Sequence, residues 1–453
     1  MTLGSRLAKM ARITAEIALG LTGFVFLVVL ACVILNSFDV HLSEQAKVLL
    51  TPPHNPYPAE QNLYFAIAGL ESAGERPIID MGQARIAAYN QAVNSILLNP
   101  DTALELNKKW DAAKLAFTGK LELGPQRTTS IWSDAKSRRP DIAAALASNQ
   151  KLYQRYLSLH PLHGYYETAR PSSLTPIIFA PQEIRVLFLS DLANRIQTGN
   201  LQTQREALTD LGGDLQTWRT VLKGDGTLIG KMLATAYLHG DLILLADFIE
   251  DPASDLRLLD DALGPLALPF DPKDYKIGNA YAAEFRVTAA VYETITAPNA
   301  FQAHFFKLNA TENTGAAIAA HRVSLGNSDP GQFSVNLEAY REWLAQNEPH
   351  LSPAVLYNPI GKILVKLAEN PNDGYYLRAY DVAAYQRLVY LLFQLKRQHI
   401  ATADVPAFLK THPDWSTHPV DGKPFRWNPQ SSELAVNTLG DQAQGRRFSV
   451  TLR

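Results

Sequence analysis

The chain has 453 residues, of which 47% are hydrophobic and 19% are charged, a composition typical of globular rather than disordered proteins. Its formal net charge of −2, with no basic run outside the N-terminal tail, argues against nucleic acid as a partner. Cys32 is the only cysteine, so the rest of the chain has neither a disulfide nor a thiol for catalysis. Its stability must come mainly from packing.

The most distinctive segment is the uncharged run from Ile17 to Leu35. A helix rises about 1.5 Å per residue, so this run is roughly 29 Å long, close to the thickness of the hydrocarbon core of a bilayer. The sequence therefore predicts a transmembrane helix over residues 17–35, with the lipid bilayer as a partner.

The charges that flank this segment predict its orientation. Basic residues precede it and acidic residues follow it: Arg6, Lys9 and Arg12, then Asp39 and Glu44. Basic flanks stay on the cytoplasmic side of a membrane. Residues 1–16 are therefore expected to form a cytoplasmic tail, with the remainder of the chain on the other side.

Two alternatives to a retained anchor fit the residues less well. A cleaved signal peptide has a shorter apolar region, of about 7–15 residues, followed by an Ala-x-Ala-like site that is absent here. A lipoprotein needs a box of small residues before its cysteine, but Leu30 is bulky where a small residue is usual. Lipidation of Cys32 would also leave a strongly apolar mature N-terminus. We therefore expect the anchor to be retained, and the lipidation of Cys32 stays open.

Residues 36–60 predict a short membrane-proximal helix and then a spacer. The helix is expected from Ser43 to Leu50. Four prolines lie between Thr51 and Pro58, and such a density of prolines favours an extended, stiff path. A spacer this short is expected to hold the body close to the membrane.

From residue 61 to residue 405 the apolar residues recur mainly at the helical period. The clearest predicted helices are Pro181 to Gln197, Arg205 to Leu222, Thr227 to Ile249, and Asp381 to Arg397. The third is apolar around more of its circumference and is expected near the centre of the body. Asp381 is predicted to be the N-cap of the fourth.

The last segment, residues 406–453, changes to a period of two, which is typical of strands. The alternating apolar residues are Phe425 and Trp427, Leu434 and Val436, then Phe448, Val450 and Leu452. Asp421 and Gly422 predict a tight turn before the first strand. The predicted fold class is therefore an all-α, multi-helical body with a small C-terminal β-ribbon, preceded by one N-terminal transmembrane helix.

His160, His163 and Glu167 form the best metal candidate in the sequence. Two imidazoles and a carboxylate can bind zinc and leave a coordination position open. Pro161 and Gly164 favour a loop, however, whereas zincins place two histidines four residues apart on a continuous helix. Packing or surface roles are the favoured interpretation, so no metal and no other cofactor is predicted.

Carboxylates accumulate near the C-terminal end of the helix predicted over residues 227–249: Asp241, Asp247, Glu250, Asp251 and Asp255. Asp247 and Asp251 lie one helical turn apart and are the candidates for a general acid–base pair. A solvated acidic helix face is the favoured alternative, so no catalytic residue is assigned.

The segment from Gly224 to Lys231 imitates a phosphate-binding loop without completing its motif. That loop needs a glycine five residues before the Gly-Lys pair and a hydroxyl residue directly after it, so that backbone N–H groups wrap phosphate and the hydroxyl reaches magnesium. Asp225 occupies the glycine position and Met232 replaces the hydroxyl residue. We expect an interhelical turn here.

Three short segments carry a resemblance to known proteins: Asn-Leu-Tyr-Phe-Ala at 62–66, Asn-Ala-Thr-Glu-Asn at 309–313 and Asp-Gly-Lys-Pro-Phe at 421–425. In these the chain resembles uncharacterised Gram-negative proteins with a single-pass inner-membrane anchor and a helical periplasmic body. The resemblance implies a location in the bacterial inner membrane with a periplasmic body, and it carries no activity or catalytic residue. The last segment is also similar to the closing turn of pseudopilins, which implies only a fold-closing turn.

The leading functional hypothesis is a membrane-anchored periplasmic scaffold, adaptor or assembly factor of the cell envelope that binds other proteins. It depends on a helical body without a complete catalytic motif, tied to the membrane by a short spacer. Two alternatives stay open. One is a periplasmic hydrolase of peptidoglycan or lipid that uses Asp247 and Asp251, or a site around His163. The other is a binder of a lipid or small hydrophobic ligand in a cleft between helices.

Overall fold

The computed structural model describes residues 3–99, 101–119, 130–172, 181–257, 259–295, 304–347, 356–368, 374–440 and 447–452. In these ranges the chain forms 18 α-helices and one antiparallel sheet of three strands near the C-terminus. This architecture confirms the predicted fold class.

The helices of the N-terminal half are α1 Leu3–Leu35, α2 Glu44–Leu50, α3 Leu63–Gly69, α4 Ile78–Leu98, α5 Asp101–Ala112, α6 Ile131–Ser137, α7 Arg139–Ser148, α8 Gln150–Leu157, α9 Gln182–Thr198 and α10 Leu201–Lys223. Those of the C-terminal half are α11 Leu228–Glu250, α12 Asp260–Ala267, α13 Gly278–Ile295, α14 Leu308–Gly326, α15 Phe333–Asn347, α16 Pro359–Ala368, α17 Gly374–Arg397 and α18 Val405–Thr411. The strands are β1 Arg426–Asn428, β2 Glu433–Asn437 and β3 Arg447–Thr451.

Among the residues that the structure describes, two helices are long and apolar enough to cross a membrane. The part of α1 from Arg12 to Leu35 has a mean hydropathy of 2.8, and its most apolar stretch is 0% buried within the protein. α11 has a lower mean hydropathy of 1.4, and its corresponding stretch is 56% buried. Of these two helices, α1 has the exposure expected of a membrane-spanning helix, in agreement with the prediction over residues 17–35, whereas α11 is a core helix.

The core of the body forms around α11, which packs against α10 on one side and α17 on another. Large side chains fill the space between these helices and α9, among them Phe188, Trp218, Phe248 and Phe393, all of them buried. The prediction that the helix over residues 227–249 lies near the centre is confirmed. Burial of such side chains supplies about 1.5–3 kcal/mol each, so this layer dominates the stability of the body.

The C-terminal ribbon has the predicted period of two. Leu434 of β2 is paired with Trp427 of β1 and with Val450 of β3, and Val436 is paired with Phe448. The turn before β1 contains Gly422 at a positive φ of 64°, a conformation that favours glycine. The ribbon packs on α17 through β2 and β3.

The predicted role of Asp381 as an N-cap is wrong. α17 begins earlier, at Gly374, and Asp381 lies buried inside the helix. Its carboxylate accepts hydrogen bonds from the backbone N–H groups of Leu439 (2.7 Å) and Gly440 (2.8 Å), and it lies 3.3 Å from Nε2 of His418. Asp381 therefore fastens the chain that leaves β2 to the long helix beneath it.

We expect Asp381→Ala to lower the free energy of unfolding by about 1–3 kcal/mol, because two backbone N–H groups lose their acceptor in a half-buried place. The amide hydrogens of β2 should also exchange faster with solvent, which mass spectrometry resolves. Asp404→Ala is a matched control, because Asp404 is exposed and its side chain makes no capping hydrogen bond to α18. Equal exchange in the two variants would contradict this role of Asp381.

Candidate functional site

A well-defined polar site lies where the C-terminal end of α1 meets the body. Asn36 follows the apolar run directly and is fully buried. Its Nδ2 donates to the carbonyl oxygens of Cys32 (2.7 Å) and Leu356 (2.6 Å), and its Oδ1 accepts from the N–H of Asn358 (2.8 Å). A single side chain thus joins the last turn of α1 to the segment that precedes α16.

Asp39 makes the second connection. Its carboxylate accepts from the backbone N–H groups of Asn309 (2.9 Å) and Ala310 (3.2 Å), which belong to the first turn of α14. Nδ2 of Asn309 donates in return to the carbonyl oxygen of Val40 (2.8 Å). A carboxylate is favourable at the positive N-terminal end of a helix, so Asp39 both caps α14 and fixes the chain that leaves the anchor.

Asn358 completes this arrangement from the side of the body. Its Oδ1 accepts from the N–H groups of Lys307 (2.9 Å) and Gly361 (3.2 Å), and its Nδ2 donates to Oγ1 of Thr311 (3.0 Å). Gly361 is required here, because a Cβ at this position would lie 2.0 Å from Oγ1 of Thr311. We call Asn36, Asp39 and Asn358, with the groups that they bind, the collar.

The chain after the collar stays against the body. Asn313 of α14 binds the backbone on either side of Leu42, accepting from the N–H of Ser43 (2.7 Å) and donating to the carbonyl oxygen of His41 (2.9 Å). Ala46 of α2 is buried against α13 and α14. In the proline-rich segment, the carbonyl oxygen of Pro53 accepts from the hydroxyl of Tyr166 (2.5 Å). This segment, residues 51–58, forms neither a helix nor a strand, is extended at Thr51 and Pro58, and lies against the body at Tyr166. A stiff path over its whole length stays a prediction.

A cavity of about 160 Å³ lies between α13, α14 and α16. Its walls are mainly aromatic and aliphatic, including Tyr281, Phe285, Tyr292, Ile318 and Val365, with Glu284 and Arg322 as charged members. Glu284 accepts from the N–H of Leu228 (2.8 Å), and Nε of Arg322 donates to the hydroxyl of Tyr340 (3.1 Å). An apolar cavity of about 150 Å³ is large enough to bind a benzene ring. The arrangement suits a small apolar group.

The metal candidates are not brought together. His163 is exposed, whereas His160 packs edge-on against Tyr156 and Phe188, with Nε2 3.6 Å from Oδ1 of Asp214. Glu167 lies elsewhere and accepts from the hydroxyl of Tyr165 (2.8 Å). In the part of the chain that the structure describes, no group of three or more His, Cys, Asp or Glu side chains is placed to hold a metal ion.

Asp241, one of the accumulated carboxylates, belongs to a fully buried charge network. Nη2 of Arg185 binds Oδ1 of Asp241 (2.7 Å) and Nη1 binds Oδ2 of Asp214 (2.6 Å). The hydroxyl of Tyr156 donates to Asp214 (2.7 Å), as does Nε1 of Trp218 (3.1 Å). These residues come from α8, α9, α10 and α11, so the network joins four helices in the core.

The catalytic candidates Asp247 and Asp251 have different surroundings. Burial, with a smaller contribution from the charge of Glu250, raises the pKa of Asp247 to about 6. Oδ2 of Asp251 accepts from Nε1 of Trp132 (3.1 Å), and Asp251 lines a wide, open surface groove whose walls do not include Asp247. Asp247 therefore lies outside the groove that Asp251 lines, and an acid–base role for the two carboxylates stays a prediction from the sequence.

Lys231 lies in the segment that resembles a phosphate-binding loop. It is fully buried, and its ammonium binds backbone carbonyl groups. Its Nζ donates to the carbonyl oxygens of Val221 (3.1 Å) and Leu222 (2.9 Å) and contacts that of Gly224, at the end of α10. A lysine that binds the last carbonyl groups of a helix also opposes the negative end of its dipole. Burial lowers the pKa of Lys231 to about 8, although Glu167 and Asp225 act in the opposite direction.

The lowered pKa of Lys231 predicts that the free energy of unfolding depends on pH. Between about pH 8 and pH 10.5 the folded protein has released the Lys231 proton while the unfolded chain still binds it, so stability should rise with pH in this range. The complete shift corresponds to about 3 kcal/mol. Chemical denaturation across this pH range should show the rise in the wild type and in Lys410→Met, a control on the exposed side of α18, but not in Lys231→Met. Parallel curves for wild type and Lys231→Met would refute it.

Sequence reasoning found none of the collar residues as a site. Asn36 and Asp39 are single polar residues after an apolar run, and Asn358 stands alone before a proline. In the structure Asn358 has a positive φ of 52°, a conformation that asparagine tolerates better than most residues. A sequence does not show φ, so this feature could not be used to predict the site.

Comparison of the chain with protein-family models, with curated proteins and with solved structures gave no match.

Proposed function

We propose that the protein is a membrane-anchored, non-enzymatic scaffold or adaptor whose helical body binds other proteins at the membrane surface. In this proposal α1 spans the bacterial inner membrane with the N-terminus in the cytoplasm, and the body lies in the periplasm as part of the cell envelope. The observation that carries the proposal is the collar, which fixes the body to the end of the anchor.

The physical argument is one of preorganisation. A body on a flexible tether samples many orientations and loses that freedom when it binds a partner, which lowers the affinity. The collar has already restricted this freedom through hydrogen bonds from Asn36, Asp39 and Asn358. A membrane-bound partner would then meet a fixed helical surface at a fixed height, which is the property that a scaffold requires.

The test is chemical cross-linking of the full-length protein in intact membranes, followed by solubilisation, purification and identification of the linked peptides. We expect a protein partner at a defined stoichiometry, with its cross-links confined to one face of the body. Purification of the chain without cross-linked protein, or with links scattered evenly over the surface, would count against a scaffold.

The orientation has its own test. The basic residues that precede the anchor support an N-terminus in the cytoplasm. An alkaline phosphatase reporter fused after Arg453 should therefore be active, because this enzyme matures only in the periplasm, whereas a fluorescent reporter that matures only in the cytoplasm should be dark. The opposite pair of results would overturn the orientation.

The cavity supports a second candidate function, the binding of a small hydrophobic ligand or of one end of a lipid. If it does so, extraction of the purified protein should release the ligand, and Thr288→Phe, which fills the cavity, should abolish it. Thr314→Phe is the control, because Thr314 is exposed on α14 and makes the same hydroxyl bond to the carbonyl group four residues earlier. Absence of ligand from wild type, or equal retention in both variants, would exclude this function.

A further inference from the structure

α16 has two unlike faces. On one face Gly361 packs closely against Thr311, and Val365 is buried in an apolar cluster that includes Phe306 and Ile318. On the opposite face Ile363 is 60% exposed and Leu367 is 78% exposed. These two residues are four positions apart, so they form a continuous apolar stripe on a helix whose other face is fixed to the body.

The collar places the start of this helix at the membrane boundary. α16 begins directly after Asn358, whose N–H is bound by Asn36, the residue that follows the apolar run of α1. The carbonyl oxygen of Leu356 also accepts from Sγ of Cys32, which lies within that run. Phe38, another exposed apolar residue, is 78% exposed in the loop beside the collar. Exposed apolar side chains are therefore held next to the point where the anchor leaves the bilayer.

The charges of α16 fit the same location. Lys362 and Lys366 border the apolar stripe. A lysine at a membrane interface places its aliphatic stem along apolar groups while its ammonium reaches the phosphate and water of the headgroup layer. A short helix with an apolar stripe and lysines beside it is typical of a helix that lies in the interface.

We propose that α16 is an interfacial helix that inserts Ile363 and Leu367 into the bilayer that α1 spans. This inference rests on the proposed membrane anchoring and deepens it. The anchor and α16 are two separate membrane contacts on one rigid support, so the body can neither tilt nor rotate freely about α1. The partner of this face is the lipid surface itself, and the body presents its remaining faces to proteins.

The experiment uses the full chain in lipid nanodiscs with the native cysteine replaced, Cys32→Ser. Single cysteines, Ile363→Cys or Leu367→Cys, are labelled with a fluorophore whose emission shifts to the blue in apolar surroundings. Quenching is then measured with nitroxides attached to lipid acyl chains and, separately, with a water-soluble ion. Leu27→Cys, in the middle of the apolar run, is the positive control. Val335→Cys is the matched soluble control, because Val335 is 64% exposed on α15, near the opposite end of α14 from the collar.

We expect blue-shifted emission and quenching by the lipid nitroxides at positions 363, 367 and 27, with quenching by the soluble ion at position 335. If the labels at 363 and 367 behave as the label at 335, the face is in water and the proposal is wrong. If both quenchers fail at 363 and 367, protein covers the face, either a second copy or a partner, and the lipid assignment is equally wrong. A label at position 27 that lipid nitroxides do not quench would instead refute the anchoring itself.

Discussion

Arg185→Met is expected to lower the free energy of unfolding by about 3–5 kcal/mol, because it leaves two carboxylates in the core without their cation. Asp214 and Asp241 are both fully buried, and each is bound by one arm of the Arg185 guanidinium. The guanidinium also lies over the ring of Tyr237, 4.3 Å from its centroid. Methionine retains most of the volume of the side chain, so the loss would report the charge and its hydrogen bonds more than a cavity.

The pH dependence of this variant should separate charge from packing. In the wild type, burial would raise the pKa of Asp214, but Arg185 and then His160 outweigh it and hold that pKa at about 2. The folded pKa is lower than the ordinary value of 3.8, so this carboxylate stabilises the wild type above about pH 4, and the contribution is lost as the pH falls toward 2. In the wild type, burial already raises the pKa of Asp241 in spite of Arg185. In Arg185→Met the pKa of Asp214 should rise as well, so the variant should lose more stability than the wild type as the pH rises from about 5 to 8.

Chemical denaturation followed by circular dichroism measures both effects. Arg205→Met is the matched control, since it removes an ion pair at the protein surface, in which the side chain of Arg205 is 34% exposed and that of Asp261 66% exposed. Such a surface pair is worth about 0–1 kcal/mol. Similar losses in the two variants, or a variant curve that follows the wild-type pH dependence, would show that the core network is not held by Arg185 in the manner described.

The fold was predictable because it depends on local periodicity. The apolar run over residues 17–35, the helix over residues 227–249 and the alternation around Val436 each repeat at a period that a sequence displays directly. The N-cap prediction failed at Asp381 for a physical reason. An aspartate before an apolar helical run favours an N-terminus, but the helix continues upstream and the carboxylate is satisfied instead by the N–H groups of Leu439 and Gly440.

The sites were harder to predict because their partners are distant in sequence. The sequence places Asp241 in an acidic run that predicts a solvated helix face, yet Arg185, on a helix earlier in the chain, makes its burial possible. His160 and His163 are neighbours in sequence, whereas the structural neighbours of His160 are Phe188 and Asp214. Sequence spacing shows what a helix brings together but not which helices pack.

The collar was equally hard to predict, because Asn36 and its partner Asn358 lie far apart in the sequence. Its removal is the second substitution for which we expect a large effect. Replacing both Asn36 and Asp39 by alanine should leave the body folded, because the core around α11 is untouched, but should free the chain between anchor and body. The substitutions remove the partners of the N–H groups of Asn358, Asn309 and Ala310, and they leave the carbonyl oxygen of Leu356 with Sγ of Cys32 alone. A buried group left without a partner costs about 1–3 kcal/mol. The local free energy of opening should therefore fall by about 3–5 kcal/mol, which is a hundredfold or more in amide exchange rate.

Hydrogen exchange of the nanodisc-embedded protein tests this at the peptides that contain residues 36–50 and 308–313. Glu44→Ala is the control, because Glu44 lies in the same segment and forms an exposed pair with Lys47. Faster exchange in both of these peptides, with unchanged exchange in α11, would show that the collar fixes the chain between anchor and body. Unchanged exchange at 308–313 would mean that α14 does not depend on Asp39 for its first turn.

Loss of cross-linked partners in the double variant, while the fold and the membrane anchoring persist, would connect the fixed position of the body to the proposed scaffold function. Retention of the same cross-links would separate the two, since a scaffold that works equally well on a loose tether needs no collar.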